Sequence, residues 1–151
     1  EHLLSQDWDA LKEVRQRCAS LYRDAIKGCE WLTPQHVPEG WSHDYWAYTV
    51  ALEPSEGNWA VSEWWETLAQ AIVQHGGERP YAAWLPPWKE PGLRDALAEI
   101  VLHPVSFPAE MAAACPIAES LQPQLLQLQT NNVESAMSNA RALSRAIAEI
   151  G

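Results

Sequence analysis

The chain has 151 residues, 47% of them hydrophobic and 20% charged, a composition of one soluble globular domain rather than of a disordered segment. Twenty acidic against ten basic residues leave a formal charge of −10, which argues against nucleic acid or an anionic membrane surface as partner. Three cysteines, Cys18, Cys29 and Cys115, form no CxxC pair and point to a reduced, cytoplasmic setting.

In chain order, EHLLSQDWD at residues 1 to 9 has no basic segment followed by an apolar core, so no signal peptide is expected. The chain begins with Glu1 rather than methionine, as a piece of a longer protein would. Residues 7–27 have the three-to-four spacing of a helix, with Asp7 as N-cap, Trp8, Leu11, Val14, Cys18, Leu21 and Tyr22 on one stripe, and Gly28 beyond its end. Pro34, Pro38 and Gly40 predict an irregular linker over 31–41, and aromatic and β-branched residues predict a strand over 43–52, covered on both faces. A turn follows at 54–58. A second helix spans 60–75, with Val61, Trp64, Trp65, Leu68, Ala71 and Ile72 inward, and stops at Gly76-Gly77.

A short strand around Tyr81–Trp84 leads into a proline-rich loop, then a short helix over 93–101 and an irregular connection over 103–110. Pro116 suits the first turn of a helix that carries Glu119 near its positive end, and 125–130 alternate as a half-buried strand does. Asn131 or Asn132 caps the last helix, Asn131 having capping-box spacing to Glu134, and Val133, Met137, Ala140, Leu143, Ile147 and Ile150 form its stripe. The sum is one α+β domain, a small and mainly antiparallel sheet covered by long N- and C-terminal helices.

The chemistry-bearing residues are sparse. His2, His36, His43, His75 and His103 give no i, i+4 pair and no HExxH, so no metal site is expected. His43-Asp44 ahead of a strand has a structural or solvent-facing role as its first reading, with coordination or proton relay as the other. No GxSxG or Walker loop occurs, and the many carboxylates read as a solvated outer face. Among nine tryptophans, Trp8, Trp64 and Trp65 lie on helical stripes and belong to the core, while Trp41, Trp46, Trp84 and Trp88 lie in or beside loops, where a sugar could stack. The three lysines are Lys12, Lys27 and Lys89, none in the apolar setting that Schiff-base chemistry needs. No residue of the chain is expected to be catalytic.

Three segments, in order, resemble the C-terminal small domain of the DegT–StrS family of nucleotide-sugar aminotransferases, relatives of aspartate aminotransferase that use pyridoxal phosphate. SHDYWAYTVAL, 42–52, is similar to the family's His-x-Tyr strand. HGGERPYAAWLPPWKEP, 75–91, resembles a glycine-led segment with a Tyr-Ala-Ala-Trp core and a closing Glu-Pro. CPIAESLQPQLLQLQTN, 115–131, is similar to a Cys-Pro-x-Ala-Glu helix followed by a strand.

The resemblance covers nearly the whole chain. It implies a domain that packs on a cofactor-bearing large domain lying upstream of Glu1, with the Schiff-base lysine and the phosphate loop in that missing N-terminal part. It further implies a nucleotide-sugar substrate, an amino-acid donor and a homodimeric parent, inactive in this chain alone. A dehydratase parent using the same cofactor is the close variant.

By the same resemblance His43, Tyr45, Trp46, Arg79, Tyr81 and Trp84 face the substrate. Trp46 stands where several branches carry histidine, leaving stacking as its contribution. Glu78-Arg79-Pro80 replaces an expected Asp-Gly-Ile; Arg79 meets a nucleotide phosphate on one reading and is a solvated loop arginine on the default one. Two readings from other classes stand beside this one: a free-standing tryptophan-rich carbohydrate-binding module, and a structural or dimerisation piece docking through the striped helices.

Overall fold

The computed structural model of the protein describes residues 7–53, 60–93, 96 and 113–151. The Asp7 carboxylate accepts the Ala10 N–H at 3.0 Å and opens α1, Trp8–Ala25. Cys18, Ala19 and Tyr22 form its buried stripe, and Gly28, at φ 85°, turns the chain away. Strand β1, Leu32–Pro34, follows within the span expected to be irregular. The prolines allow it because β1 is an outer strand of three residues, with Pro34 at its end, where a missing N–H is tolerated.

Strand β2 is Ala47–Leu52, shorter than the expected 43–52. Tyr45 interrupts extension before it, at φ 45°, and its N–H donates to His43 Nδ1 at 2.9 Å, a local contact that competes with strand pairing. Helix α2, Val61–Gln74, has no side-chain cap from Ala60; Glu63 instead accepts the Ala60 N–H at 3.3 Å. Its end is a Schellman turn: Gly76 N–H donates to Val73 O at 3.0 Å and Gly77 N–H to Ile72 O at 2.9 Å, with Gly76 at φ 85°. The two glycines serve different needs, since a Cβ on Gly77 would lie 2.8 Å from both Ala142 Cβ and Ile72 Cγ2.

Strand β3 is confined to Tyr81–Ala82, and a 3₁₀ turn at Pro87–Lys89 follows. The turn expected at 54–58 and the connection at 103–110 lie outside the described residues, as does nearly all of the helix expected over 93–101; residues 91–93 are helical. Pro116 occupies the first turn of α3, Pro116–Leu121, and a 3₁₀ turn at Gln122–Gln124 delivers the chain to β4, Leu125–Gln129. Helix α4, Val133–Ile150, is capped by Asn132, whose side chain accepts the Ser135 N–H at 2.9 Å. The capping box expected from Asn131 to Glu134 is therefore one residue out of register.

The sheet order is β1-β2-β4-β3, antiparallel throughout, with short strands at both edges, a usual defence against edge-to-edge association. Tyr48 pairs with Leu128 and Val50 with Leu126, all four buried, so this face meets the helices. Helix α4 contacts both α1 and α2. Its inward surface carries Ala136, Ala140, Ala142, Leu143 and Ala146, small residues that let two neighbours approach, and Met137 falls to the rim of the expected stripe. Tyr22 ties α1 to the sheet: its hydroxyl donates to Gln129 O at 2.9 Å, and burial pushes its phenol up to about 12.

Four tryptophans contradict or refine the sequence reading. Trp8 is 55% exposed, because no described element covers the first turn of α1. Trp88, expected beside a ligand, is buried and donates its indole N–H to Glu119, which also pairs with Lys89. Trp65 is half-buried and donates to Leu125 O at 3.1 Å, while Trp64 packs on Trp31 with ring centres 5.1 Å apart.

Candidate binding groove

The sheet has a second face, turned away from the helices. Strand alternation puts Ala47 opposite Gln129, Thr49 opposite Gln127, and Tyr81 opposite Gln127 on that side. Small and amide side chains there leave room above the strands, so of the β2 residues on this face, expected to be covered like those on the other, Ala51 is buried while Ala47 and Thr49 are only half-buried. The room is a groove of about 730 Å³. Trp46, just before β2, and Trp84, just after β3, meet over it with ring centres 5.9 Å apart at 71°. They are 66% and 80% exposed, and Tyr81 between them is 56% exposed. Edge-on contact of this kind fixes both rings yet leaves the face of at least one open.

Each aromatic wall has a support. The Thr130 hydroxyl lies against Tyr45 O and, at 3.0 Å, Trp46 O, pinning the backbone from which Trp46 projects. Gln129 Nε2 donates to the Tyr81 hydroxyl at 2.7 Å. Gln122 Nε2 donates to Ala83 O at 2.9 Å, beside Trp84. Arg15, from α1, and Asn131 also line the groove.

Of the six substrate-facing residues expected from the sequence, Trp46, Tyr81 and Trp84 come together on the groove. The other three have structural partners elsewhere. His43 stacks on Tyr45 with ring centres 4.7 Å apart, and its Nε2 lies 3.1 Å from the Gln35 amide, which in turn accepts the Thr49 N–H at 3.1 Å. Tyr45 is buried, and its hydroxyl accepts from Arg23 at 3.1 Å. Arg79 is forked onto Glu66 at 3.1 and 2.6 Å and lies over the Trp65 ring, 5.3 Å from its centre. That guanidinium, helped by Gln70, holds the Glu66 carboxyl down at about 2.

Sequence reasoning missed Arg15, Gln127, Gln129 and Asn131. The signal for the two glutamines is their place as the polar alternates of LLQLQT, a run that alternates as a half-buried strand does; Arg15 has no local signal, being one of several basic residues on α1.

Chemically, the described residues of the groove offer aromatic faces, amides and one guanidinium, a set for binding and orientation. No group of three or more His, Cys, Asp or Glu side chains among the described residues is arranged to hold a metal ion. Lys12 pairs with Asp44 at 3.2 Å and Lys89 with Glu119, and neither lines the groove. Beside the groove, Trp84, Leu85 and Leu121 line an apolar hollow of about 380 Å³. No described helix is long and apolar enough to cross a membrane. Comparison with protein families, with curated proteins and with solved structures finds no match to this chain.

Proposed function

We propose that the chain is the small, substrate-shaping domain of a pyridoxal-phosphate-dependent aminotransferase that acts on a nucleotide-linked keto-sugar. One observation carries the reading. The three segments that resemble the DegT–StrS small domain are far apart in sequence, yet each contributes to a single groove: Trp46 from the first, Tyr81 and Trp84 from the second, Gln127, Gln129 and Asn131 from the third. In this reading the groove orients the sugar and excludes water, while a separate large domain holds the cofactor and moves protons. The apolar hollow beside Trp84 is the shoulder on which that domain rests, in a homodimeric and cytoplasmic parent. The three unpaired thiols support a reducing compartment.

The test is the coding sequence ahead of Glu1. The reading expects roughly 200 to 250 further residues in an alternating α/β pattern, with a lysine in an apolar stretch. A start codon immediately before Glu1, with no adjacent gene for such a domain, overturns it. Whether the parent transfers an amino group or dehydrates its sugar follows from the presence or replacement of that lysine.

A second reading, a free-standing carbohydrate-binding module, is favoured by the exposure of Trp46 and Trp84. It requires neutral sugars to bind the isolated chain as well as phosphorylated ones.

A further inference from the structure

We propose that the groove recognises a ring-bearing phosphate ester, with Arg15 holding the phosphate and the Trp46–Trp84 pair holding the ring. The inference deepens the aminotransferase reading, on which the identity of the ester as a nucleotide-linked sugar rests. The argument begins with charge. The chain carries a formal charge of −10, yet among the described residues no acidic side chain lines the groove and Arg15 is its single charged group. An uncharged sugar gains only ordinary hydrogen bonds from this arrangement; an anion gains more, because no described carboxylate of the groove competes for the guanidinium.

The second strand of the argument is availability. Lys12, Arg79 and Lys89 are each held by a carboxylate: Asp44, Glu66 and Glu119. Arg15 has no ion-pair partner among the described residues. The phosphate contact that the resemblance offered Arg79 as the alternative to a solvated loop arginine therefore falls to Arg15, a residue of a different element. Next comes shape. Two tryptophans so widely exposed leave large apolar faces in water, and the Gln127 and Gln129 amides below them suit the hydroxyls or carbonyls of a ring laid against an indole. The volume, about 730 Å³, exceeds what a phosphate or a single ring fills, and admits both joined.

Isothermal titration of the chain at low salt tests this with four probes: glucose 1-phosphate, uridine monophosphate, glucose and inorganic phosphate. At least one ester should bind about tenfold or more tightly than either glucose or inorganic phosphate. Arg15→Gln should remove that advantage, and Arg15→Lys should keep part of it while losing the fork. Trp84→Ala, at a widely exposed position, should fold normally and weaken both esters about fivefold. Tighter glucose 1-phosphate assigns the stacked ring to the sugar, and tighter uridine monophosphate assigns it to the base; either upholds the proposal.

Equal affinity for glucose and its phosphate, indifference to Arg15→Gln in a variant with an unchanged melting curve, or no binding of any probe overturns it. The coding sequence ahead of Glu1 is an independent outcome. Ester binding without an encoded cofactor domain would retain this inference and discard the aminotransferase reading. The converse pattern would retain that reading and discard Arg15.

Discussion

Replacing Gly77 by alanine probes how tightly α2 is closed onto α4. The new methyl would sit 2.8 Å from Ala142 Cβ, 2.8 Å from Ile72 Cγ2 and 3.1 Å from Ile72 O. Carbons settle at about 3.5–4.0 Å, so close to an ångström must be found from neighbours that are fully or nearly buried. Overpacking of this kind costs about 1–3 kcal/mol, offset by about 0.4–1 kcal/mol from the stiffer unfolded chain. A net loss of about 1–2 kcal/mol lowers the melting midpoint of a domain this size by about 2–8 °C. The clash also displaces Glu78, whose N–H donates to Asn139 Oδ1 at 2.8 Å, and with it the lead-in to β3 and Tyr81.

Circular-dichroism melts and urea titrations of Gly77→Ala, Ala142→Gly and the double variant measure the effect. Because Ala142→Gly removes one clashing carbon, the two changes should couple by at least about 0.5 kcal/mol. Gly76→Ala is the control: open space surrounds its Cβ, so its cost of about 1 kcal/mol comes from φ 85° alone and adds independently to Ala142→Gly. A Gly77→Ala chain as stable as the original, or strict additivity with Ala142→Gly, would refute the close-approach argument.

The remaining predictions concern the polar contacts around the sheet. Asn139→Leu strands the Glu78 N–H beneath α4 and should cost about 1–3 kcal/mol in urea; an unchanged midpoint would show that the buried amide is not the anchor. Glu66 titrates at about 2 because Arg79 holds its charged form, so the pair's contribution is complete above the ordinary carboxylate range and fades as pH falls towards 2. Carbon-detected NMR should find that low midpoint, and Arg79→Gln should return it to the ordinary range; a midpoint that ignores Arg79→Gln would remove the ion pair from the account. Thr130→Val keeps the shape but loses the hydroxyl against Tyr45 O and Trp46 O. It should weaken the near-ultraviolet dichroism of the Trp46–Trp84 pair and lower stability by about 1 kcal/mol; an unaltered spectrum would mean that Trp46 is held by other contacts.

The three long helices were legible in the sequence because their apolar spacing repeats over four or five turns, and β4 because LLQLQ alternates without interruption. What stayed hidden depends on contacts between distant segments. Nothing near Arg79 announces Glu66, thirteen residues away on another element. Trp88 looks like a loop tryptophan until Glu119 is seen to receive its indole N–H. Tyr45 carries no glycine-like signal for its left-handed backbone; the His43 ring and the Arg23 contact hold it there. Of the groove, the aromatic half could be read, since loop tryptophans attract suspicion. The basic half could not, because Arg15 belongs to a helix whose stripe directs attention to its apolar side.

The strand order has a consequence for how the chain must be made. β4 lies between β2 and β3 although it is translated after both, and α4, which joins α1 to α2, comes later still. Until β4 has been translated, the strands before it have no central partner to zip against, so their aromatic segments wait uncovered. Nascent chains halted before Leu125 should therefore be ready clients for chaperones and proteases, whereas those completed through Ile150 should fold in a single late step.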